Sequence, residues 1–364
     1  MNQLSNYSVR DVGWIPAAHV FTTLFLGVHV GPLFDRYGPR YLVLCGATLG
    51  FVSFMTLAEC QEYWQFMLCL GICGGIGSAI LSTVSIAAMS HWFHRRRALA
   101  SGFCMAGSSF GGTTLPLLLR NLFPRYGWTW SIRIVGLMAL AFYAVGIIFV
   151  RGRLPKNKTP RVTIDLGVLA SPRLTFLSIA VFSFEFVIFG CAALLPTYVR
   201  YAGFSSDTQF YSLTVLNGLS FVGRAVPGFV ADIFGRFNML LVLIVMTLVT
   251  MTAVWLPFGA SSEAALYAVV GLFGFGSSGW LSLAPVCAGQ LCRTEDYGRF
   301  YGTMYCIAAF GTLVTVPIGG ELLQSTTAQA LVGFYSAVLV IGLASIVASR
   351  WAILDWKWRW KVKV

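Results

Sequence analysis

Charge is what this sequence has least of. Of its 364 residues 10% are charged, 13 of them acidic, and four more are histidines. Apolar residues make up 57% and aromatic residues 15%, and the mean hydropathy is +0.76. A soluble chain of this length cannot bury so much apolar surface. The composition therefore excludes an ordinary soluble domain and predicts a membrane protein.

The sequence also lacks the residue groupings that catalysis and metal binding require. No Ser, His and Asp grouping and no paired carboxylates indicate an enzyme, so we predict that the chain is not one. The nine Cys residues lie almost wholly in apolar runs and form no CxxC pair, which argues against a metal site. We expect no metal and no cofactor. Residues 1–11 are polar and lead into a full-length apolar run, so no cleavable signal peptide is expected.

Long apolar runs are what the sequence has instead. Each is near the ~20 residues that a helix needs to cross the hydrocarbon of a bilayer. The runs lack the period-two alternation of barrel strands, so they predict helices and an all-α polytopic membrane protein. We place eleven of them, at 12–30, 41–58, 65–89, 98–119, 131–150, 174–198, 209–231, 239–257, 264–288, 300–322 and 329–349.

Basic residues orient the predicted bundle. If the first run ends in the cytosol, most of the 25 Lys and Arg fall in cytosolic segments. The positive-inside rule then predicts a cytosolic C-terminus and an N-terminus outside. We interpret the net charge of +12 as a topology signal, with membrane lipids and not nucleic acid as the expected contact. Of the sequons at Asn6 and Asn157, Asn6 alone lies outside and is the predicted glycosylation site.

A ten-residue segment occurs twice and divides the chain into halves. Three of its residues recur 197 positions later, as Gly31, Asp35 and Gly38 and then as Gly228, Asp232 and Gly235. A polar, proline-containing loop separates five apolar runs from six, which is typical of transporters built from repeats. The predicted organisation is an N-terminal half (1–150), a cytosolic linker (151–173), a C-terminal half (174–350) and a cytosolic tail rich in Trp and Lys (351–364).

These segments carry a resemblance to a known family. GPLFDRYGPR (31–40) and its copy GFVADIFGRFN (228–238) resemble the loops between the second and third helices of each half of the major facilitator superfamily. HWFHRRRALASGFCMAGSSFGG (91–112) resembles the junction of helices four and five in the monocarboxylate porter family, and SLAPVCAGQL (282–291) and VPIGGELL (316–323) resemble fungal members. The resemblance implies a bundle of two six-helix repeats, with the first helix missing here.

The resemblance also implies a function. It implies a secondary active transporter that carries a small organic anion, a monocarboxylate or a larger carboxylated metabolite, by alternating access, as a proton symporter and a monomer. The expected location is the plasma membrane, with the vacuole or another endomembrane as the alternative. Two other interpretations stay open: a non-transporting nutrient sensor, or a truncated and inactive transporter.

Charges at membrane depth mark the candidate binding site, because they are costly unless they face a cavity or a partner. Arg224 lies within run 209–231, and a guanidinium suits a carboxylate in charge and in two-pronged hydrogen bonding. In the monocarboxylate porters an arginine four positions before a glycine binds the substrate anion, which Arg224 and Gly228 match. Asn217 and Ser220 are candidate substrate contacts on the same helix. The alternative role for Arg224 is structural pairing with a neighbouring helix. The alternative role for Asn217 and Ser220 is hydrogen bonding between helices.

Two residues are candidates for proton coupling. Animal porters place an acid four positions before the arginine, where this chain has Ser220, so coupling through that pair is not implied. Glu185 lies about eleven residues into run 174–198, at a depth close to that of Arg224, and is the first candidate. His19 is the second. The alternative for Glu185 is a solvated residue of the cavity. The alternative for His19 is a polar residue whose hydrogen bonds are satisfied within the bundle.

The repeated loops supply a predicted conformational latch. Glycine tolerates positive φ and therefore suits a tight reversal between helices. A carboxylate there can meet the positive N-terminal end of a neighbouring helix. The alternative is a set of turn residues that merely fix topology. The predicted latch consists of Asp35, Arg36, Gly38, Arg40, Asp232, Gly235 and Arg236.

Overall fold

The computed structural model describes residues 7–93, 96–153, 166–292, 297–357 and 362. Across these ranges the regular structure is helical, and it includes ten apolar helical stretches long enough to cross a membrane. One of them, Arg97–Phe149, consists of two helices that meet at Gly127, so the long helices number eleven. A short 3₁₀ helix, Leu166–Ala170, precedes the second half. In chain order the long helices are α1 (Val9–Tyr37), α2 (Pro39–Leu57), α3 (63–92), α4 (97–126), α5 (128–149), α6 (Pro172–Tyr201), α7 (Ser206–Phe234), α8 (236–258), α9 (Glu263–Ala288), α10 (Tyr297–Ser325) and α11 (Ala328–Ile353).

Helices α4 and α5 follow one another without a loop. The helical stretch Arg97–Phe149 is 53 residues long and is broken at Gly127, where φ is 71° and ψ is −175°. A straight helix of that length would measure ~80 Å, more than twice the thickness of the hydrocarbon core. The chain therefore turns at Gly127, where the missing side chain permits the positive φ. The predicted connection, 120–130, is helical on both sides of this one-residue turn.

Two antiparallel helix pairs join the halves, which are α1 to α5 and α6 to α11. Helix α1 packs along α10, with the rings of Phe21 and Phe310 5.5 Å apart between centroids. Helix α4 packs along α7 over its full length. The contacts along this second pair are, in order, Ala98 with Gly228, Gly102 with Arg224, Gly112 with Asn217, and Arg120 with Asp207.

The ends of the bundle differ in their residues. Gly38, with φ of 81°, joins α1 to α2, and Gly235, with φ of 104°, joins α7 to α8. We call the end that carries these two reversals the basic end, since Arg36, Arg40 and Arg236 lie there. At the opposite end, hydroxyl side chains accept backbone amide hydrogen bonds and cap the first turns of four helices. These caps are Ser8, Ser205, Ser262 and Thr327.

The buried core is distributed unevenly between the halves. One large apolar cluster fills the second half, where Phe184 stacks on Trp280 with 4.2 Å between ring centroids. Of its buried members in the described part of the chain, only Ala17 and Ala98 come from the first half. The first half has two smaller clusters of its own, one around Phe66 and one around Phe34. The second half is therefore the more continuously packed of the two.

Candidate anion site

Arg224 bridges the two halves from the middle of α7. It lies ten residues before Phe234, or ~15 Å from the basic end at 1.5 Å per residue. Its Nη1 donates hydrogen bonds to the Met105 carbonyl and the Ser108 hydroxyl, both on α4. Its Nε is buried and has no hydrogen-bond partner within the described ranges. A guanidinium has five N–H donors, so this side chain retains donors for an anion.

Glu185 provides the opposite charge on the neighbouring helix α6. Its side chain is 1% exposed, and neither carboxylate oxygen has a hydrogen-bond partner among the residues that the structure describes. No hydrogen bond joins Glu185 to Arg224, whose side chain is half-buried. The two residues form a charged pair on neighbouring helices whose hydrogen bonding is incomplete.

A cavity of about 290 Å³ lies between α1, α6, α7 and α10. Among the residues that line it, Asn217 and Thr312 are polar and the others are apolar, Phe189 among them. Phe189 is one helical turn from Glu185, and Asn217 is two turns from Arg224, in each case on the same face of the helix. The charged pair thus lies nearer the basic end than the cavity does, on the same faces of α6 and α7.

The two candidate substrate contacts on α7 lie in different surroundings. Asn217 lines the cavity, and its Nδ2 donates to the Leu213 carbonyl at 2.9 Å. Its Oδ1 lies against Gly112, where an added Cβ would come within 2.5 Å. Ser220 is buried, and its hydroxyl donates to the Gly274 carbonyl of α9 at 3.2 Å. The structure therefore places Asn217 beside the cavity and turns Ser220 toward α9.

His19 of α1 contacts an irregular segment of α3. Residues Met67–Gly74 form a π-helix, a rare local form that is often found near functional sites. His19 Nδ1 is 2.8 Å from the Leu70 carbonyl, so the ring donates there in the tautomer with a proton on Nδ1. The Ser53 hydroxyl donates to the adjacent Cys69 carbonyl at 2.7 Å. These two side chains fasten the π-helix to α1 and α2.

Asp232 joins the halves at the basic end. Its Oδ2 accepts a hydrogen bond from the Leu99 amide at 3.3 Å, and its Oδ1 lies 3.7 Å from Arg236 Nη2. Leu99 belongs to the first turn of α4, where backbone amides carry partial positive charge. A carboxylate of the second half therefore meets a helix N-terminus of the first.

Two further residues of the predicted latch, Arg36 and Arg40, are exposed at the basic end. The Arg36 guanidinium lies 5.3 Å from the centroid of the Tyr37 ring. The side chain of Asp35 lies outside the described part of the structure, as does the predicted glycosylation site Asn6.

Ion pairs at the opposite end were not anticipated from the sequence. Arg120 of α4 donates to Asp207 at 2.6 Å and to the Tyr211 hydroxyl at 2.8 Å, both on α7. Arg10 of α1 lies 3.5 Å from Glu321 of α10. The sequence places these residues at or near the ends of apolar runs, but it carries no signal of which charges pair.

Residues 1–302 match the family profile described as the Major Facilitator Superfamily. This chain belongs to the major facilitator superfamily. The match covers most of the chain, and the helical bundle described above is the fold expected of such a transporter.

Fungal transporters of the major facilitator superfamily are among the similar proteins. An MFS-type transporter of Gibberella moniliformis is 34% identical, over 89% of this chain and 78% of its own length. The riboflavin transporter MCH5 of Saccharomyces cerevisiae is 31% identical, over 98% and 73%. The aspyridones efflux protein apdF of Emericella nidulans is 31% identical, over 93% and 69%.

A solved structure of the superfamily shares the fold. The human organic anion transporter MFSD10 superimposes with a TM-score of 0.73 at 16% identity, covering 92% of this chain and 83% of its own. Together with the relatives, the superfamily match identifies this chain as an integral, multi-pass membrane transporter. Its substrate is therefore a small molecule.

Proposed function

We propose that this transporter carries a small organic anion, a monocarboxylate or a larger carboxylated metabolite, and that Arg224 binds the carboxylate. The observation that carries the proposal is the incomplete hydrogen bonding of Arg224 within the bundle. A half-buried guanidinium whose Nε is buried without a partner attracts an anion that can accept two parallel hydrogen bonds. Asn217, beside the cavity, supplies a further contact to the substrate, while the hydroxyl of Ser220 is directed to α9.

The position of Arg224 also supports binding during alternating access. Its guanidinium reaches from α7 to α4 and so lies between the two halves that must move relative to one another. An anion there competes with Met105 and Ser108 for the same donors. Binding of substrate therefore changes the contacts between the halves, which couples occupancy to conformation.

Proton symport is the proposed source of energy, with Glu185 as the proton carrier. An ionised carboxylate buried without any hydrogen-bond donor is unfavourable, and protonation removes that cost. When Glu185 is neutral, Arg224 has no opposing charge and attracts the substrate anion more strongly. His19 is a second proton candidate, although the Leu70 carbonyl already holds its Nδ1.

The monocarboxylate porter family is the proposed subfamily, with a wide substrate range. Curated relatives include proteins named for riboflavin and for aspyridones, which supports cargo larger than a short carboxylic acid. The proposed residence is the plasma membrane, with an endomembrane as the alternative. The proposed functional unit is a monomer.

We further propose that α1 corresponds to the second helix of a six-helix repeat. In support, α1 and α7 end at equivalent glycine reversals, Gly38 and Gly235. Helix α1 packs on α10 while α7 packs on α4, as two repeats related by a two-fold axis would require. Asp232 and its counterpart Asp35 are then equivalent latch residues, and breaking the Asp232–Leu99 contact opens the basic end.

Exchange of labelled carboxylates in proteoliposomes tests the anion site, because exchange reports binding whether the protein imports or exports. Arg224→Ala is expected to lower exchange roughly 10- to 150-fold, the range for losing a hydrogen bond to a charged group. Arg224→Lys should retain part of the activity, since it keeps the charge but loses the two-pronged geometry. Arg200→Ala, at an exposed arginine of α6, is the matched control and should exchange normally.

Exchange at the wild-type rate by Arg224→Ala would overturn the proposed site.

A separate measurement addresses the proton coupling. An imposed inward proton gradient should accelerate uptake by the native protein and not by Glu185→Gln, which retains exchange without net proton movement. A gradient response that survives in Glu185→Gln and disappears in His19→Asn would transfer the proton role to His19.

A further inference from the structure

The cavity between α1, α6, α7 and α10 favours an apolar occupant. Its two polar side chains already bond within their own helices, Asn217 Nδ2 to the Leu213 carbonyl and Thr312 Oγ1 to the Ala309 carbonyl at 2.8 Å. A buried water needs two to four polar partners, and this cavity offers few of them beyond the Asn217 amide. The rest of the lining is hydrocarbon and includes Val20 of α1 and Phe189 and Ala192 of α6. Hydrocarbon is therefore favoured over water in this space.

The cavity is placed so that one molecule can reach both it and Arg224. Asn217 lines the cavity and lies seven residues from Arg224 on the same face of α7, or ~10 Å along the helix. On α6, Phe189 lies one turn, ~6 Å, from Glu185. A ligand with its carboxylate at Arg224 can thus direct an apolar body of moderate length along α6 and α7 into the cavity.

The size of the cavity limits that body. Its volume of about 290 Å³ is at the lower end of the range for small-molecule sites, ~300–1,000 Å³. At the ~30 Å³ that a water molecule occupies in the liquid, it takes about ten non-hydrogen atoms. That corresponds to a medium-length alkyl chain or one substituted aromatic ring.

We propose that this cavity receives the apolar body of the transported anion, and that the substrate class is an amphipathic carboxylate with a medium-length alkyl or single-ring body. The inference rests on the proposed function, because it takes Arg224 as the carboxylate site. Short hydrophilic acids fill the charged part of the site and leave the cavity empty. They bind more weakly for that reason.

Binding of a homologous series tests the proposal. The full chain is reconstituted in nanodiscs, and straight-chain carboxylates from acetate to dodecanoate are titrated, with empty nanodiscs subtracted. Affinity is expected to rise roughly fourfold for each methylene that enters the cavity. The rise should level off once about ten non-hydrogen atoms are accommodated. Partition into lipid would continue to rise with length, so the plateau identifies the cavity.

Variants of the lining provide the matched comparison. Ala192→Phe fills the cavity and should reduce the gain per methylene to less than about twofold, while acetate binds as before. Val20→Ala enlarges the cavity and should move the plateau to longer chains. Ile179→Phe places the same aromatic side chain at an exposed position of α6 and is expected to leave the series unchanged.

The outcomes separate this inference from the proposed function. Affinity that is independent of chain length, yet lost in Arg224→Ala, would overturn the cavity assignment and retain the anion site. A length dependence that neutral alcohols share and that Arg224→Ala leaves intact would overturn the carboxylate assignment. A plateau that persists in Ala192→Phe would show that the apolar body binds elsewhere.

Discussion

Arg120 of α4 and Asp207 of α7 form an ion pair that joins the two halves at the end opposite the glycine reversals, with 2.6 Å between Nη2 and Oδ1. The Tyr211 hydroxyl accepts a second hydrogen bond from the same guanidinium. The pair is partly exposed, so solvent screening keeps its contribution to the contact between the halves small. Asp232 holds α4 to α7 in a similar way at the basic end.

Arg120→Ala should therefore expose the cavity more often at the end of the bundle where this ion pair lies, away from the basic end. The expected increase in the labelling rate of Val20→Cys, in a cysteine-free background, is at most a few-fold, because the ion pair is partly exposed. The control is Arg133→Ala, which breaks an ion pair with Glu59 that lies within the first half. The exchanged pair, Arg120→Asp with Asp207→Arg, should restore slow labelling. Equal rates in Arg120→Ala and Arg133→Ala would contradict the prediction.

Gly102→Ala should destabilise the protein, because α4 and α7 meet there without space for a side chain. A Cβ at Gly102 would lie less than 3.0 Å from the Arg224 carbonyl oxygen, and both atoms belong to helix backbones. We expect a loss of ~1–3 kcal/mol, as for other overpacked sites. Gly111→Ala, on the same helix with open space around it, should be neutral or stabilising by up to ~1 kcal/mol. Thermal unfolding in detergent compares the two, and equal unfolding temperatures would contradict the close approach.

Asp232→Ala should weaken the closed arrangement of the basic end. The substitution removes both the acceptor for the Leu99 amide and the negative charge at the start of α4. The expected cost is ~0.5–2 kcal/mol, as for loss of a helix cap. Asp232→Asn keeps an acceptor and should cost ~0.3–1 kcal/mol for the lost charge.

The control for Asp232 is Asp355→Asn, at an aspartate whose ion pair with Arg173 lies within the second half. Labelling of cysteines introduced at the basic end should increase in the order Asp355→Asn, Asp232→Asn, Asp232→Ala. No difference among the three would indicate that Asp232 only shapes the turn.

His19→Ala should destabilise the first half by removing the hydrogen bond between His19 and the Leu70 carbonyl. Loss of one such hydrogen bond costs ~0.5–1.5 kcal/mol. The amide of Asn can donate from nearly the same position as Nδ1 but does not titrate, so His19→Asn should restore stability. Proton-driven uptake by His19→Asn then separates a structural histidine from a proton carrier. Normal uptake fits the former, and uptake that no longer responds to pH fits the latter.

Epitope tags at the two termini test the topology. Eleven crossings place the termini on opposite faces of the membrane, and the basic residues predict that the C-terminus is cytosolic. An N-terminal tag should therefore bind antibody on intact cells, and a C-terminal tag only after permeabilisation. Both tags on one side would mean that the number of crossings is even.

Sequence reasoning located the features that depend on local physics. The apolar runs predicted all eleven helices, because crossing hydrocarbon sets both length and composition. The repeated glycines predicted the reversals at Gly38 and Gly235, since positive φ is costly for other residues. The cost of a charge at membrane depth singled out Arg224 and Glu185.

The contacts between helices lay beyond sequence reasoning. Helical periodicity fixes the angle at which a side chain leaves its helix, but it does not name the neighbour that the side chain meets. Ser220 therefore looked like a companion of Arg224, although it bonds to α9. The same limit hid Met105 and Ser108, whose bonds to Arg224 span more than one hundred positions. It also hid that Gly102 lies against the backbone of α7 while Gly111 has open space around it.

The uneven core gives the two halves different mechanical characters. Because one apolar cluster holds α6 to α11 together while the first half relies on two small ones, disruption by heat or detergent should begin in α1 to α5. The better-packed half should then keep its shape longer. The π-helix of α3, which His19 and Ser53 fasten to α1 and α2, lies in the half where that disruption should begin.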